Sequence, residues 1–394
     1  MLSKAQELKN EIIRLRRDIH QHPELSFEEE RTAKLVAETL DEIGIKTVKT
    51  QVGRTGVIAD IGTGSGPTIG IRADMDALPI TEKTDVPWKS QTEGIMHACG
   101  HDAHTAILLG VAHMLQQDFV DNGSKWNGTV RLLFQPSEEK FDEQGISGAT
   151  AMISDEALQG VDNTIALHVS SDRESGKLYF ADGMALAAVD AFEATIYGDG
   201  GHGASPHTGS DPLFILSNVL PHIYGIPGRR VAPLESCIVS LGSIHAGKAM
   251  NVIPGEVYIN GTIRTFSDEV RATVHEELER SFKFAEVMGG SYKLSINKGY
   301  PAMYNTASVN DVMRGVTGEF AGAEAIVNGT FGMGAEDFSY MTAAAPGAMF
   351  MLGADNGGGA HHTSLFDIDE DVFPMGAAVL AETARRYVTG EAQM

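Results

Sequence analysis

Apolar residues recur along the chain at two spacings, one typical of helices and one typical of strands. In the segment Ser3–His20, apolar side chains stand at Leu8, Ile12, Leu15 and Ile19, and a proline follows at position 23. This spacing of three to four residues predicts an amphipathic helix that ends before the proline.

Short apolar runs then alternate with helical patterns through the first 186 residues. Further helices are predicted at about 28–44 and 103–115, and strands at 56–61, 68–72, 128–134 and 164–169. The same alternation resumes after Pro301, with a helix near 308–320, a strand at 348–352 and a closing helix at about 370–387. This pattern indicates an α/β architecture, in which functional side chains gather where strands end.

The middle of the chain follows a different order. Between about Ala188 and Lys298 the elements are predicted as strand, helix, strand, strand, helix, strand. The order βαββαβ is that of a ferredoxin-like unit of about 100 residues, which can fold as a domain of its own. We therefore predict a catalytic domain formed by residues 1–186 and 301–394, with residues 187–300 inserted into it.

Charge and composition exclude several classes of protein. The 53 Asp and Glu residues outnumber the 30 Lys and Arg residues, which gives a formal net charge of −23. That charge repels phosphate backbones and anionic lipid, so no nucleic-acid or membrane partner is expected. No apolar run has the length of a membrane span or the features of a signal peptide, and two cysteines cannot form a disulfide framework. A cytoplasmic protein is predicted.

The densest group of polar residues precedes the predicted helix at 103–115. Cys99 and His101 are two residues apart on a predicted turn, so both side chains can reach one metal ion or a close pair. Thiolate and imidazole together suit Zn²⁺ or a comparable divalent ion. The alternative is a polar loop whose histidines cap the helix.

Other candidate ligands lie at the ends of predicted strands and in loops. Glu138 and Glu139 follow the strand at 128–134 directly, so one carboxylate can bind metal while its neighbour acts as general base. His168 lies near the end of the strand at 164–169, and His362 lies in a glycine-rich loop. Taken singly, these residues also fit an acidic turn, a core histidine and a surface histidine. Together with Cys99 and His101 they supply five ligand-type side chains, enough for two metal ions that share one ligand.

Several segments resemble the amidohydrolase branch of metallopeptidase family twenty, which includes aminoacylases, hippurate hydrolase and the auxin-conjugate hydrolases. The resemblance runs in order from about residue 14 to residue 385, and the Cys-Gly-His-Asp and Glu-Glu strings are its most specific parts. The matching segments are DIHQHPELSF from Asp18, RADMDALP from Arg72, MHACGHDAHT from Met96, FQPSEE from Phe134, GHGASPH from Gly201, NVIP from Asn251, GAEDF from Gly334 and HTSLFD from His362.

The resemblance implies a di-metal peptidase-type catalytic domain with an inserted lid and dimerisation domain. It also implies two divalent ions per subunit, with Zn²⁺ and Mn²⁺ both open, and Glu138 as catalytic base. Which ligand bridges the ions stays open, with Cys99 one candidate. The implied ligands are Cys99, His101, Glu139, His168 and His362.

Four further residues receive roles. Asp74 is expected either to orient a ligand imidazole or to form a turn. By the resemblance, His202 reaches the active site of a partner subunit and stabilises the oxyanion, which implies at least a homodimer through the inserted domain and allows a higher homo-oligomer. The resemblance also implies that Arg264, helped by Asn251, binds a substrate carboxylate through two parallel hydrogen bonds from its guanidinium. The alternative from the strand pattern alone is an arginine that faces solvent.

The function that follows is metal-dependent hydrolysis of the amide bond in a small N-acyl amino acid or a similar conjugate. One alternative is a dipeptidase or carboxypeptidase of the same fold. The least favoured alternative is a metal-dependent binding protein without catalysis, because such a protein has no need for a base beside its ligands.

Overall fold

The computed structural model describes residues 1–394, which form two compact units. The first unit comprises Met1–Ala185, Tyr304–Phe331 and Asp337–Met394, and the second comprises Leu186–Met303 with Gly332–Glu336. The sequence analysis placed the domain boundaries at residues 187 and 301. It contained no signal that residues 332–336 also belong to the second unit.

Ten helices and sixteen strands make up the chain, together with four short 3₁₀ turns. The helices are α1 Leu2–Glu7, α2 Lys9–Gln21, α3 Glu30–Glu42, α4 His101–Asn122, α5 Gly148–Ser154, α6 Pro212–Arg229, α7 Asp268–Val287, α8 Ala307–Ala321, α9 Phe338–Ala344 and α10 Phe373–Val388. The strands are β1 Lys49–Val52, β2 Gly56–Gly62, β3 Thr68–Asp74, β4 Thr129–Gln135, β5 Asn163–Ser170, β6 Leu178–Phe180, β7 Gly183–Leu186, β8 Ala188–Tyr197, β9 Gly201–His202, β10 Cys237–Ala246, β11 Val252–Ile253, β12 Glu256–Thr265, β13 Ser291–Lys298, β14 Met303–Asn305, β15 Ile326–Asn328 and β16 Gly347–Gly353.

An eight-stranded mixed sheet forms the centre of the first unit. Its strand order is β1-β2-β4-β3-β5-β16-β6-β15, and the four strands β4, β3, β5 and β16 run parallel to one another. These strands are buried along almost their whole length, as expected where helices cover both faces of a parallel sheet. Their carboxyl ends meet at one edge of the sheet, so the segments that follow them lie close together.

Helix α4 packs against this sheet and begins at the candidate metal centre. The residue before it, Gly100, has a φ of 97°. A Cβ atom there would lie 2.3 Å from the side chain of Val169, so only glycine fits. Most of the helix's first four turns are buried on all sides, because α2, α10 and β3 pack around it.

The predicted N-terminal helix is two helices in the structure. The helical path of α1 ends at Leu8, where α2 begins. Helix α1 packs mainly on α10, whereas α2 packs mainly on α4. The break therefore lets consecutive segments bury their apolar faces against different partners.

The second unit contains a four-stranded antiparallel sheet and two long helices. The sheet has the order β10-β12-β8-β13, and α6 and α7 pack on it, which gives the predicted βαββαβ order of elements. Residues of β8 alternate between buried and more exposed positions, as expected for a sheet covered on one face. The mixed α/β fold class is thus confirmed. None of the ten helices combines the length and apolar composition that a membrane crossing requires.

Candidate metal centre

Five predicted ligands come together at the carboxyl edge of the large sheet. The ligand atoms of Cys99, His101 and His168 all lie within 4.8 Å of one another, and so do those of Cys99, Glu139 and His362. The Cys99 sulfur is 3.5 Å from His168 Nε2, and His362 Nε2 is 3.1 Å from Glu139 Oε1. Cys99 belongs to both groups of three, which is the arrangement that a shared ligand requires.

Hydrogen bonds to two of the imidazoles orient them for coordination. His168 Nδ1 donates to the carbonyl oxygen of Val169 over 2.6 Å, and His101 Nδ1 lies 2.9 Å from the carbonyl oxygen of Asp76. A neutral imidazole that donates from Nδ1 has a lone pair on Nε2. In both rings the Nε2 atom is therefore available for a metal ion.

Two donor atoms at the centre fit a divalent cation closely. His101 Nε2 is buried without a hydrogen-bond partner, and it lies 3.9 Å from Glu139 Oε1, which is buried beside His362. Buried polar atoms are rarely left in this state, because the loss of hydration is costly. With a thiol and further imidazoles beside them, these atoms form a mixed sulfur, nitrogen and oxygen donor set of the kind that binds Zn²⁺ or Mn²⁺.

The pKa values at the centre reflect its burial and its charges. Burial raises the pKa of the Cys99 thiol, and the nearby Glu139 carboxylate raises it further. Hydrogen bonds to Cys99 and Glu139 raise the pKa of His362 to about 10. Burial acts to lower the pKa of His101, but Asp74 and Cys99 outweigh this effect and raise it well above its usual value. The carboxylates of Asp74 and Glu139 thus favour positive charge at the centre.

The carboxylate that orients His101 is Asp76, which the sequence analysis missed. Besides the contact through its carbonyl oxygen, Asp76 places Oδ1 3.1 Å from His101 Nδ1. The same carboxylate accepts the backbone N–H groups of Glu138 and Glu139, each over 3.0 Å. Asp76 thereby fixes one ligand and the backbone of the turn that carries another. The only sequence signal was its position two residues after Asp74 in the Arg72–Pro79 segment.

The Asp74 carboxylate contacts a histidine that is not among the five predicted ligands. Its Oδ1 is 2.6 Å from His104 Nδ1, and its Oδ2 is paired with Arg72 over 2.6 Å. Its Oδ2 lies 3.6 Å from Nε2 of the predicted ligand His101. The difference arises because Asp74 ends strand β3 and faces into α4, whereas Asp76 lies in the loop beyond, alongside His101.

Glu138 lies next to the five ligands. One of its carboxylate oxygens is within 4.8 Å of the ligand atoms of His101 and Glu139. The side chain is buried, and Oε1 lies 3.4 Å from the backbone nitrogen of Asp337. A buried carboxylate that adjoins a set of metal ligands is well placed to exchange protons with a reacting water molecule.

Residues 70–386, most of the chain, match the peptidase family M20/M25/M40. The chain belongs to this family. The recognised family is thus confirmed, and with it the expectation of a metal-dependent hydrolase that cleaves amide bonds.

Three relatives illustrate the range of the family. The chain is 38% identical over 391 residues to thermostable carboxypeptidase 1 of Saccharolobus solfataricus, which covers 97% of each chain. It is 39% identical over 386 residues to N-acetyl-L-cysteine deacetylase of Bacillus subtilis, covering 97% of this chain and 89% of the relative. A crystal structure of the Bacillus subtilis YXEP protein, described as a dinuclear metal binding peptidase of the M20 family, aligns with a TM-score of 0.82 at 31% identity, covering 96% of this chain and 98% of that one.

The other predicted site residues of this M20 chain lie in its second unit. His202 and Asn251 are neighbours there, because β9 pairs with β11 and the Gly203 N–H donates to the Asn251 carbonyl oxygen over 2.8 Å. His202 is exposed, and its Nδ1 accepts the Ala204 N–H over 3.0 Å. Arg264 is half-buried on β12, where its guanidinium donates to the Ile263 carbonyl oxygen and to Thr262.

Two further histidines of the M20 chain support the strand that carries His168. His104 Nε2 accepts the Val169 N–H over 2.9 Å, and His361 Nε2 accepts the Ser171 N–H over 3.0 Å. Burial lowers the pKa of His104 to about 4 and that of His361 to about 3. Both rings are therefore neutral, and both use Nε2 to hold the backbone. The histidine-rich segments that contain them were visible in the sequence, but these partners were not.

Proposed function

We propose that this protein hydrolyses the amide bond of N-acyl amino acids or similar small conjugates, with two divalent metal ions held by Cys99, His101, Glu139, His168 and His362. The observation that carries the proposal is the position of Glu138 beside two groups of ligands that share Cys99. The relatives support it, since one is named for removing an acetyl group from N-acetyl-L-cysteine and another is described as dinuclear.

When bound, the ions would lower the pKa of water and polarise the acyl carbonyl group. Zn²⁺ and Mn²⁺ both suit the donor set, and a thiolate ligand favours the softer Zn²⁺. Both cysteines are free, which agrees with the reducing cytoplasm that we propose as the location.

Glu138 moves the proton in this proposal. Its carboxylate accepts a proton from the attacking water as the new carbon–oxygen bond forms. It then returns the proton to the amide nitrogen as the carbon–nitrogen bond breaks, so the amine leaves neutral and Glu138 ends ionised, as it began. Burial of this carboxylate away from bulk water favours direct transfer between the reacting atoms.

His202 supplies an oxyanion donor in the proposal, acting on the site of a partner subunit. Because its Nδ1 accepts the Ala204 N–H, the proton of the neutral ring lies on Nε2 and is free to be donated. Asn251 lies beside it. Arg264 binds the substrate carboxylate, and burial lowers the pKa of its guanidinium without removing its charge at neutral pH.

The second unit has a surface suited to a homodimer. Strand β10 lies at one edge of its sheet and presents unpaired backbone groups. Apolar side chains are exposed on this strand, at Ile238 and Ile244, and on helix α6, at Leu213, Phe214 and Tyr224. A second copy of the chain that covers this surface would shield the edge strand and the apolar side chains from water. The proposed action of His202 on a partner's site requires such a dimer.

Mixing two inactive variants tests the proposed role of His202. His202→Ala subunits keep Glu138, and Glu138→Gln subunits keep His202, so a heterodimer contains one complete site. After random exchange of subunits, we expect about one quarter of wild-type activity. As the control, Glu138→Gln is mixed with a variant that carries both changes, which should restore nothing. Equal activity in both mixtures would place His202 outside the partner's site.

A carboxypeptidase or dipeptidase is the second candidate, favoured by the carboxypeptidase relative. The two activities are separated by matched substrates, N-acetyl-methionine against alanyl-methionine, assayed after the metal content has been measured. We expect kcat/KM to be higher for the acetylated compound. A free α-amino group would carry a positive charge close to the metal ions, which is unfavourable. Preference for the unblocked dipeptide would replace the proposed substrate class by the peptidase alternative.

A further inference from the structure

The turn that carries Glu138 and Glu139 begins at a residue with an unusual backbone. Ser137 is buried and has a φ of 45°, in the left-handed region that side chains other than glycine rarely adopt. The backbone torsions of Ser137 set the direction of the chain that follows it. They therefore decide where the carboxylates of Glu138 and Glu139 point. Some interaction must hold Ser137 in this conformation.

Glu29 provides such an interaction from a distant part of the chain. Its side chain is fully buried, and its Oε1 accepts the Ser137 N–H over 2.8 Å. The same oxygen accepts the Phe27 N–H over 2.9 Å, and Phe27 also has a left-handed φ, of 64°. The other carboxylate oxygen accepts the Thr55 hydroxyl. One buried carboxylate thus stabilises two unfavourable backbone conformations.

The surroundings leave the turn little room for another conformation. A Cβ atom at Gly148 would lie 1.5 Å from the Pro136 carbonyl oxygen, and one at Gly56 would lie 2.9 Å from the Pro136 ring. The Gly148 N–H donates to the Ser137 carbonyl oxygen over 2.8 Å. The backbone of the turn is therefore packed closely against Gly56 and Gly148.

Three successive backbone N–H groups of the turn donate hydrogen bonds to buried carboxylates. Glu29 accepts that of Ser137, and Asp76 accepts those of Glu138 and Glu139. Burial raises the pKa of Glu29 to about 7, and the charge of Asp76 adds to the rise. A buried acid in this position is costly for the fold, which is consistent with a specific task.

We propose that Glu29 is a positioning residue for the general base, holding Ser137 in its left-handed conformation so that the Glu138 carboxylate faces the substrate. The proposal rests on the proposed function in one respect, the role of Glu138. Without Glu29, the peptide before Glu138 can rotate towards an ordinary conformation, and the carboxylate moves away from the reacting atoms.

The test compares Glu29→Ala with Glu29→Gln in the metal-loaded enzyme. Glutamine keeps an oxygen that can accept the Phe27 and Ser137 N–H groups, whereas alanine keeps none. We expect Glu29→Ala to lower kcat about 100-fold with KM changed less than about threefold, because small displacements of a catalytic group act on kcat. Glu29→Gln should stay within about threefold of wild type. Exposed Glu28→Gln, with the same change of formal charge, is the matched control and should equal wild type.

Hydrogen exchange at the amides of residues 137–139 gives a readout that needs no substrate. Exchange should speed up in Glu29→Ala but not in Glu29→Gln, while amides of α4 keep their protection. Unchanged exchange in Glu29→Ala would overturn the proposal whatever the substrate is, and so would faster exchange with wild-type kcat on a substrate that needs Glu138. If Glu138→Gln itself keeps full activity, the proposed function fails instead.

If Glu29→Ala does not fold, Glu29→Asp replaces it. Aspartate keeps the charge, but its oxygens are one methylene shorter and cannot reach both N–H groups. We expect the same loss of kcat and the same faster exchange at residues 137–139. Wild-type behaviour of Glu29→Asp in both measurements would overturn the proposal.

Discussion

Glu138→Gln is expected to keep both metal ions and the affinity for substrate while lowering kcat about 1,000-fold, as is typical when a general base is removed. Glutamine has nearly the same shape, and the backbone N–H of residue 138 still donates to Asp76. What it lacks is a carboxylate that can take a proton from water. The measurements are metal content of the purified variant, kcat and KM for an N-acetyl amino acid.

Two neighbouring glutamates serve as controls for Glu138→Gln. Glu139→Gln should lose metal as well as activity, because Glu139 Oε1 belongs to the donor set. Glu143→Gln changes an exposed residue four positions beyond Glu139 and should leave metal content and turnover unchanged. Near wild-type kcat in Glu138→Gln would remove this residue from the mechanism even if the metal centre is correct.

Cys99→Ala is the second substitution with a large expected effect. Because Cys99 belongs to both groups of predicted ligands, its loss should weaken the binding of both ions. We expect no more than one bound ion per chain at micromolar free metal. Substitution of a residue that only supports a metal ligand already lowers metal affinity or activity by up to about 100-fold. Loss of a shared ligand should therefore lower them by more than about 100-fold. The measurements are metal analysis after dialysis and the rate of amide hydrolysis.

The second cysteine of the chain is the matched control. Cys237 is half-buried on β10 in the second unit, where burial raises the pKa of its thiol. Cys237→Ala removes the same chemical group and should keep two ions and wild-type activity. Two tightly bound ions in Cys99→Ala would show that Cys99 is not a shared ligand.

The sequence predicted the layers of the fold, and it predicted that five ligand-type side chains come together, because both depend on local signals. Long apolar runs such as β4 and β5 mark strands, and residues directly after them share one edge of the sheet. The sequence did not predict short elements such as β1, β15 and α5, which contain too few residues to show a period. It also predicted one helix where α1 and α2 are separate, because the break depends on packing against α10 and α4.

The supporting residues of the centre were harder to predict than the ligands. Asp74 and Asp76 are both plausible partners of an imidazole in sequence, and only the position at which β3 ends decides between them. Glu29 lies 108 residues from Ser137, so no local pattern links the two. Hydrogen bonds of this kind depend on how distant segments meet, which one sequence does not reveal.

The hydrogen bonds of the His104 and His361 imidazoles affect where a metal ion can bind. Each already uses Nε2 as an acceptor for a backbone N–H, so neither can offer that atom to a cation without breaking a buried hydrogen bond. A cation at Nε2 of either ring would therefore displace a backbone N–H next to His168. This cost favours binding of the proposed ions at the five predicted ligands instead.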